Sequence, residues 1–422
     1  MTTTDRLHEA RALDLADPLR AYRRRFHFPQ HDGQDVIYLC GNSLGLAPRS
    51  AESALLRELH HWQQEGVEGH FRGERPWVDY HEQLTAGSAA VVGALPEEVV
   101  VMNTLTVNLH LLLVSFYRPG PERFQIVMEA GAFPSDQYAV ESQVKFHGFD
   151  PAEAIVEVAP RPGEHTLRTE DIETAIAHSG RRCALVLFGG VNYYTGQFFD
   201  LAAITRAGRA VGARVGFDLA HAAGNVPLRL HDWGPDFACW CSYKYLNSGP
   251  GGPSGIFVHG RHAEAPELPR FAGWWGHDAS ARFEMRKGFV PMRGAAGWQL
   301  SNAQIFGFAV HRASLELFGE VGMTALRRKS EALTAFLEKA LHESRVAAHF
   351  TIITPADPTA RGCQLSILTG DTGKALFDHL SARGVVCDWR EPNVIRVAPV
   401  PLYNSFEDVA RFVALLEAYF VD

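Results

Sequence analysis

Lys244 stands within Ala238-Cys-Trp-Cys-Ser-Tyr-Lys-Tyr-Leu-Asn-Ser-Gly-Pro-Gly-Gly-Pro-Ser-Gly255, an amine set among aromatic and small residues. Upstream, the strand-like run Ala213-Arg-Val-Gly-Phe-Asp218 ends in a carboxylate and is followed by Leu-Ala-His221. A lysine and an aspartate so disposed suit pyridoxal phosphate. The amine can hold the cofactor's aldehyde as a Schiff base, and the carboxylate can keep the pyridine nitrogen protonated so that the ring accepts electrons. A lysine is a nucleophile only while neutral, and Tyr243 and Tyr245 offer apolar walls that favour that form. The glycines lead into Ile256-Phe-Val258, so the lysine falls on a connection between sheet elements, where sites in α/β proteins collect.

Two other stretches fit a phosphorylated, flat cofactor. Val99-Val-Val-Met102 reads as a strand and Asn103-Thr-Leu-Thr106 as the start of a helix running to about Tyr117. Such a start, capped by Asn103 or Thr104, presents free N–H groups and the positive end of the helix dipole to an anion. The strand Phe124-Gln-Ile-Val-Met128 is followed by Gly131-Ala-Phe-Pro-Ser-Asp136, which sets an aromatic ring and two polar side chains beyond a strand end.

The elements that must position these residues alternate. Strands are predicted at Ile155–Val158 and Ala184–Phe188, with helices at about 169–179 and 201–211, so the region from about 99 to 258 predicts a mainly parallel sheet covered on both faces. Before it, helical spacing of apolar residues from Asp5 to about Phe26 predicts a first amphipathic helix. A short strand at Val36–Leu39 leads to Gly41-Asn-Ser-Leu-Gly45, whose glycines are read as allowing tight turns, and a helix runs from about Pro48 to Gln64. After residue 300 long helical patterns feed short strands at 350–353, 364–368, 385–387 and 394–397, a smaller α+β unit. The expected division is an N-terminal helix and arm (1–50), a large α/β cofactor-binding domain (51–300) and a small C-terminal α+β domain (301–422).

The chain has 422 residues, 46% of them hydrophobic and 21% charged, with a formal charge of −8. That length predicts two domains, and the negative balance argues against a nucleic-acid partner. The apolar run Leu109–Phe116 is too short to cross a bilayer, and the N-terminus lacks an apolar signal core, so no membrane association and a cytoplasmic location are expected. The 6 cysteines form no Cys-x-x-Cys pair, and the 20 histidines include no His-Glu-x-x-His, so reduced thiols and no metal site are expected.

Taken together, Gly41–Gly45, Asn103-Thr-Leu-Thr-Val-Asn-Leu-His110, Ala132-Phe-Pro-Ser-Asp136, Phe217-Asp-Leu-Ala-His-Ala-Ala-Gly-Asn225, Tyr243-Lys-Tyr-Leu-Asn247, Gly273-Trp-Trp-Gly-His277 and Arg396-Val-Ala-Pro-Val-Pro-Leu-Tyr-Asn404 resemble kynureninase over nearly the whole chain. The resemblance implies a pyridoxal phosphate hydrolase of the aspartate aminotransferase fold group (fold type I) that cleaves the Cβ–Cγ bond of kynurenine or 3-hydroxykynurenine, giving alanine and an anthranilate. It implies Lys244 as cofactor lysine and base, Asp218 at the pyridine nitrogen and Tyr243 as acid. Leu105 and Thr106 are implied at the phosphate, and Phe133, Pro134, Ser135 and Asp136 around the ring, with His221 on the side of Asp218. A homodimer with shared sites is implied too, Trp274 and Asn302 reaching over from the partner subunit. Arg396 is the implied clamp on the α-carboxylate, and Ser43, His70, Ser301 and Asn302 are implied at the substrate, His70, Ser301 and Asn302 being able to bond a 3-hydroxyl. Where this chain has Gly189, some family members carry serine. The rival readings are another enzyme of the same fold, such as a cysteine desulfurase using Cys363 or an aminotransferase, and a cofactor-binding protein without catalysis.

Overall fold

In a computed structural model of the protein, which describes residues 2–265 and 267–420, seven apolar strands form one twisted sheet. They are β1 (Val99–Met102), β2 (Gln125–Glu129), β3 (Ile155–Val158), β4 (Cys183–Gly189), β5 (Arg214–Asp218), β6 (Phe237–Cys241) and β7 (Ser254–Val258). The order is β1-β7-β6-β5-β4-β2-β3. Only β7 runs against its neighbours; every other pairing is parallel. The reason is in the residues: β4 is buried almost throughout, with Leu185, Val186, Leu187 and Phe188 each under 4% exposed, the near-continuous apolar run of a strand covered on both faces. Each such side chain contributes about 1.5–3 kcal/mol by leaving water.

The crossover helices carry the chain back over the sheet: α4 (Leu105–Phe116), α5 (Pro134–Phe146), α6 (Thr169–Ser179) and α7 (Leu201–Ala210). Ahead of them lie α1 (Thr3–Ala16), α2 (Ser50–Glu65) and α3 (Glu82–Val92). The first helix is shorter than its periodicity predicts. It stops at Ala16, and residues 20–25 continue as a 3-10 turn, because Pro18 lacks the N–H that an α-helix would use there and its ring disfavours helical geometry at Asp17.

Beyond α8 (Ile305–Val321) and α9 (Met323–His342) a second sheet is built from β8 (Thr351–Ile352), β9 (Leu365–Leu368), β10 (Asp388–Arg390) and β11 (Val394–Val397), in the order β8-β9-β11-β10 and all antiparallel. Helices α10 (Lys374–Ser381) and α11 (Phe406–Ala418) cover it. The predicted strand at 385–387 leaves this sheet: Val385–Val386 pairs in parallel with Ile37–Tyr38, tying the N-terminal arm to the C-terminal unit. Helix α8 packs on α2 and α3 of the large unit, whereas α9 packs on α11. Among the described residues no helix is long and apolar enough to cross a membrane.

Candidate active site

The loops that leave the carboxyl ends of β1, β2, β4, β5 and β6 meet around one cavity of about 380 Å³, the place where open α/β sheets bind ligands. Its lining includes Ser43, Leu105, Thr106, Phe133, Ser135, Asp136, Asp218, His221, Tyr243 and Lys244. Lys244, 8% exposed, has its Nζ 3.0 Å from Nε2 of His221. The rings of Phe133 and Tyr243 lie 5.7 and 6.0 Å from the same nitrogen. Tyr245 faces the other way, fully buried beneath the loop. The apolar walls of the lysine are therefore Phe133 and Tyr243, with Tyr245 in a packing role.

The lysine loop is clamped from outside the sheet. Gly45 N–H donates to the carbonyl of Tyr243 at 2.9 Å. A Cβ on Gly45 would fall 2.3 Å from the Lys244 carbonyl oxygen and 2.2 Å from Asn247 Oδ1, and one on Gly41 would meet the Tyr403 hydroxyl at 2.2 Å. Neither glycine is among the residues with positive φ. Gly41-Asn-Ser-Leu-Gly45 therefore uses glycine for close approach to the lysine loop and to Tyr403, not for the turn conformation its sequence suggests. Opposite, Ser314 Oγ of α8 donates to the Leu246 carbonyl at 2.5 Å.

Electrostatics divide the cavity. Asp218, at the end of β5, accepts the Ala220 N–H at 2.7 Å and shares a hydrogen bond with Asp136. Burial pushes the Asp136 carboxyl well above the usual range, and the charge of Asp218 pushes it further. Asp218 is also raised by burial, an effect opposed by the Ala220 N–H and by Lys244. A carboxyl pair of this kind, Asp218 buried and Asp136 partly so, holds a proton or meets a cation. Burial, and then Lys244, Arg396 and Arg390, drive His221 far below its ordinary value, so its imidazole is neutral beside the lysine. Tyr243 is raised by burial and keeps its phenolic proton.

At the other end of the cavity, Thr104 caps α4 without a side-chain hydrogen bond, leaving the first-turn N–H groups beside Leu105 and Thr106 free for an anion. Asn103, at φ 47°, makes the sharp turn out of β1 that aims this helix. An apolar ring wall, an amine, a proton-holding carboxyl pair and an anion-binding helix end in one cavity fit a flat, phosphorylated heteroaromatic aldehyde.

Other residues implicated by sequence lie elsewhere in the chain. Pro134 is the exposed first residue of α5. His70 is exposed and hydrogen-bonded to the Val67 carbonyl at 3.1 Å, Trp274 donates to the Arg282 carbonyl at 3.0 Å on the surface, and Ser301 and Asn302 are exposed. None of these five lines the cavity. Arg396 is 1% exposed behind the wall, donating to the Tyr193 carbonyl at 2.6 Å and paired with Asp388.

Sequence reasoning passed over Glu129, Tyr193 and Arg390, all of which line the cavity. Glu129 ends β2 and accepts from Gly189 N–H at 3.1 Å and Asn192 Nδ2 at 2.6 Å. A Cβ on Gly189 would stand 2.7 Å from its Oε1, so a carboxyl occupies the space that a larger residue at 189 would need. Far across the sheet, Glu98, His231 and His259 group closely enough to hold a metal. His259 Nδ1 accepts the Arg261 N–H, and Glu98 accepts from Leu95 and Gly260 N–H and lies 3.0 Å from His231 Nδ1, so hydrogen bonds tie the cluster together.

Comparison with known proteins identifies the relatives of this chain. Residues 326–416 match the family model described as the kynureninase C-terminal domain. The chain is 58% identical over 412 residues to the kynureninase of Myxococcus xanthus, covering 97% of this chain and 96% of that one. It is 56% identical over 413 residues to that of Flavobacterium psychrophilum, covering 97% of each. Among solved structures, the cysteine desulfurase CsdA of Escherichia coli superposes with a TM-score of 0.76 at 17% identity, covering 96% of this chain and 98% of that one. The cystine C–S lyase C-DES, solved with its product cysteine persulfide, gives 0.74 at 19%, covering 90% and 97%. These structures share the fold. Cys363, the thiol a desulfurase would need, is 1% exposed in this chain, and burial pushes it up to about 12. With more than half its residues identical to those relatives over nearly its full length, this chain belongs to the kynureninase family.

Proposed function

We propose that the protein hydrolyses the Cβ–Cγ bond of L-kynurenine, and of 3-hydroxy-L-kynurenine, to L-alanine and anthranilate or 3-hydroxyanthranilate, with pyridoxal 5'-phosphate as cofactor. The observation that carries this reading is the juxtaposition of Lys244 with His221, Asp218 and Phe133 in one cavity of a chain of this family. When bound, the cofactor supplies an aldehyde carbon that bears the substrate amine and a ring that accepts electrons from the bonds that break.

The chain's own groups do the rest. Lys244 would hold the cofactor's aldehyde and, as a free amine, takes the Cα proton on Nζ. Asp218 would hold the proton of the ring nitrogen, with Asp136 and Ser135 near the ring substituents, so that the bound ring would be a strong electron acceptor. Phe133 would cover one ring face, and the α4 N-terminus at Leu105 and Thr106 would hold the phosphate. His221, neutral, orients the lysine without adding a second cation beside it. Water adds to the γ-carbonyl of the substrate; the Cβ–Cγ bond then breaks, its electron pair stays on Cβ, and the hydroxyl remains on what becomes the anthranilate carboxyl. Tyr243, which holds its proton, delivers it to Cβ and recovers one from the new carboxylic acid, while Lys244 returns its proton to Cα, which completes L-alanine. Arg396, whose terminal nitrogens are engaged by the Tyr193 carbonyl and Asp388 behind the cavity wall, would hold the α-carboxylate of the substrate by turning one of them from the Tyr193 carbonyl.

The assembly is read as a homodimer in the cytoplasm. Support for the dimer is that His70, Trp274, Ser301 and Asn302 are all surface residues of one chain, and that Trp274 joins Phe283 and Phe71 in an exposed aromatic cluster with ring centroids 5.5 and 5.9 Å apart. A second copy would cover that cluster and bring those polar groups to its neighbour's cavity.

The test is direct. Purified protein loaded with pyridoxal phosphate is given L-kynurenine while anthranilate fluorescence and alanine are followed. Equal release of both, abolished in Lys244→Ala, is expected. A cofactor-loaded protein that releases no anthranilate but frees sulfide from cysteine would move the function to another enzyme of the fold. For the ring substituent, a tenfold or greater preference in kcat/KM for plain kynurenine would remove 3-hydroxykynurenine from the reading.

A further inference from the structure

Two arginines stand on the face of the small sheet that closes the cavity. β10 and β11 are antiparallel with Asp388 opposite Arg396, so their side chains share a face, and Arg390, two residues along β10, shares it as well. Asp388 Oδ2 accepts from Arg390 Nη2 at 3.1 Å and also from Arg396 Nη2. Arg396 commits its other terminal nitrogen to the Tyr193 carbonyl. Arg390, by contrast, lines the cavity.

Charge and hydrogen bonding are both incomplete there. Two guanidinium groups face one carboxylate, leaving a positive charge beside the cavity. The Nε–H groups of Arg390 and Arg396 are buried with no partner, and a buried donor without an acceptor is an uncommon and costly state. What the place lacks is an anion. Arg396 has both terminal nitrogens engaged within the fold, so a two-point grip on a carboxylate calls for a neighbouring donor.

We propose that Arg390 is a second carboxylate-binding residue, which joins Arg396 in holding the substrate's α-carboxylate while Asp388 fixes the direction of both side chains. This rests on the kynurenine-cleaving reading and adds to it a residue that sets the preference for an α-amino acid over a simple amine.

The experiment uses the full chain loaded with pyridoxal phosphate, as parent, Arg390→Ala and Arg390→Lys. Steady-state rates are measured with L-kynurenine, and binding of its decarboxylated analogue is read from the cofactor absorption spectrum. Arg390→Ala is expected to raise KM for kynurenine tenfold or more with kcat within threefold, while binding of the decarboxylated analogue stays within twofold. Arg390→Lys, which keeps the charge and loses the planar fork, is expected to raise KM at least threefold; it carries the test should the alanine variant fail to fold. A KM within twofold of the parent in both variants, a loss confined to kcat, or an equal loss for both ligands would overturn the proposal, the last by showing that Arg390 shapes the cavity without touching the carboxylate. Failure of the parent to cleave kynurenine at all would be a failure of the underlying reading, seen before any variant is made.

Discussion

His311 sits in the middle of α8, the helix that lies between α2 and α3 on one side and the lysine loop on the other. It is fully buried, and neither ring nitrogen has a hydrogen-bond partner. Burial pushes its pKa down to about 3. Its unfolded value is about 6.5, so below that pH the unfolded chain binds a proton that the native chain refuses, and stability is lost as pH falls from 6.5 towards 3. Between pH 7.5 and 5.0 this linkage amounts to about 2 kcal/mol for the single residue. His311→Leu removes the titrating group and keeps an apolar side chain of similar size. At pH 7.5 the variant is expected to gain about 1–3 kcal/mol, the cost of two unpaired buried nitrogens, and the gap between variant and parent widens by about 2 kcal/mol at pH 5.0. Urea unfolding of both proteins at the two pH values, followed by tryptophan fluorescence, measures it. A gap equal at both pH values would refute the reasoning, because it would mean that the native imidazole takes up its proton normally. Because α8 carries Ser314 against the Leu246 carbonyl, the variant should also retain cofactor to lower pH than the parent.

Gly45→Ala drives a methyl group into the Lys244 carbonyl and the Asn247 side chain; dialysis against buffer without cofactor should show at least tenfold weaker retention of pyridoxal phosphate. Gly120→Ala, where a Cβ meets nothing within 4 Å, should leave retention unchanged. Arg6, fully buried in α1, pairs with Glu417 of α11 at 2.9 and 3.3 Å. Arg6→Met strands that carboxylate and should cost roughly 3–5 kcal/mol in urea unfolding. Asp236 is buried and would be pushed up, yet hydrogen bonds and charges from His262 and Arg261 and the Val215 N–H outweigh burial and hold it well below the usual carboxylate range. An acid so lowered contributes its stability above its unfolded value and loses it as pH falls towards the folded one. Asp236→Asn should therefore destabilise at pH 7 and by nearly the same amount at pH 5.

The parts of the site legible in sequence are those that a strand delivers directly. Asp218 closes β5 and Phe133 to Asp136 open the helix after β2; parallel topology then carries both to the same end of the sheet, and a reader needs only the alternation of elements to infer it. Lys244 is legible for the same reason, since the strand before it and the glycines after it can extend in only one sense. The α4 N-terminus adds itself once a phosphate is suspected. Pro18 was equally visible and still passed over, because the apolar spacing on either side of it continues as if the helix did.

What sequence could not give depends on register. Asp388, Arg390 and Arg396 form a charged triad only because β10 and β11 pair with Asp388 opposite Arg396; a shift of one residue would send Arg396 to the other face of the sheet and break the set. The signal was present as a period of two in Asp388-Trp-Arg390, but three residues directly after the predicted strand at 385–387 carry no turn signal that would mark a strand of their own. That earlier strand, Val385–Val386, in fact pairs with Ile37–Tyr38, which frees residues 388–390 to pair with β11. The same applies to Glu129: a glutamate at the end of an apolar strand reads as the point where the chain meets water, and only the Gly189 N–H at the end of β4 and Asn192 in the loop after it, some sixty residues on, turn it inward. Residues joined by long-range pairing are thus the ones to look for in the structure, and Arg390, which the pairing of β10 with β11 sets on the cavity wall beside Asp388, is the one on which the proposal of a second carboxylate-binding residue rests.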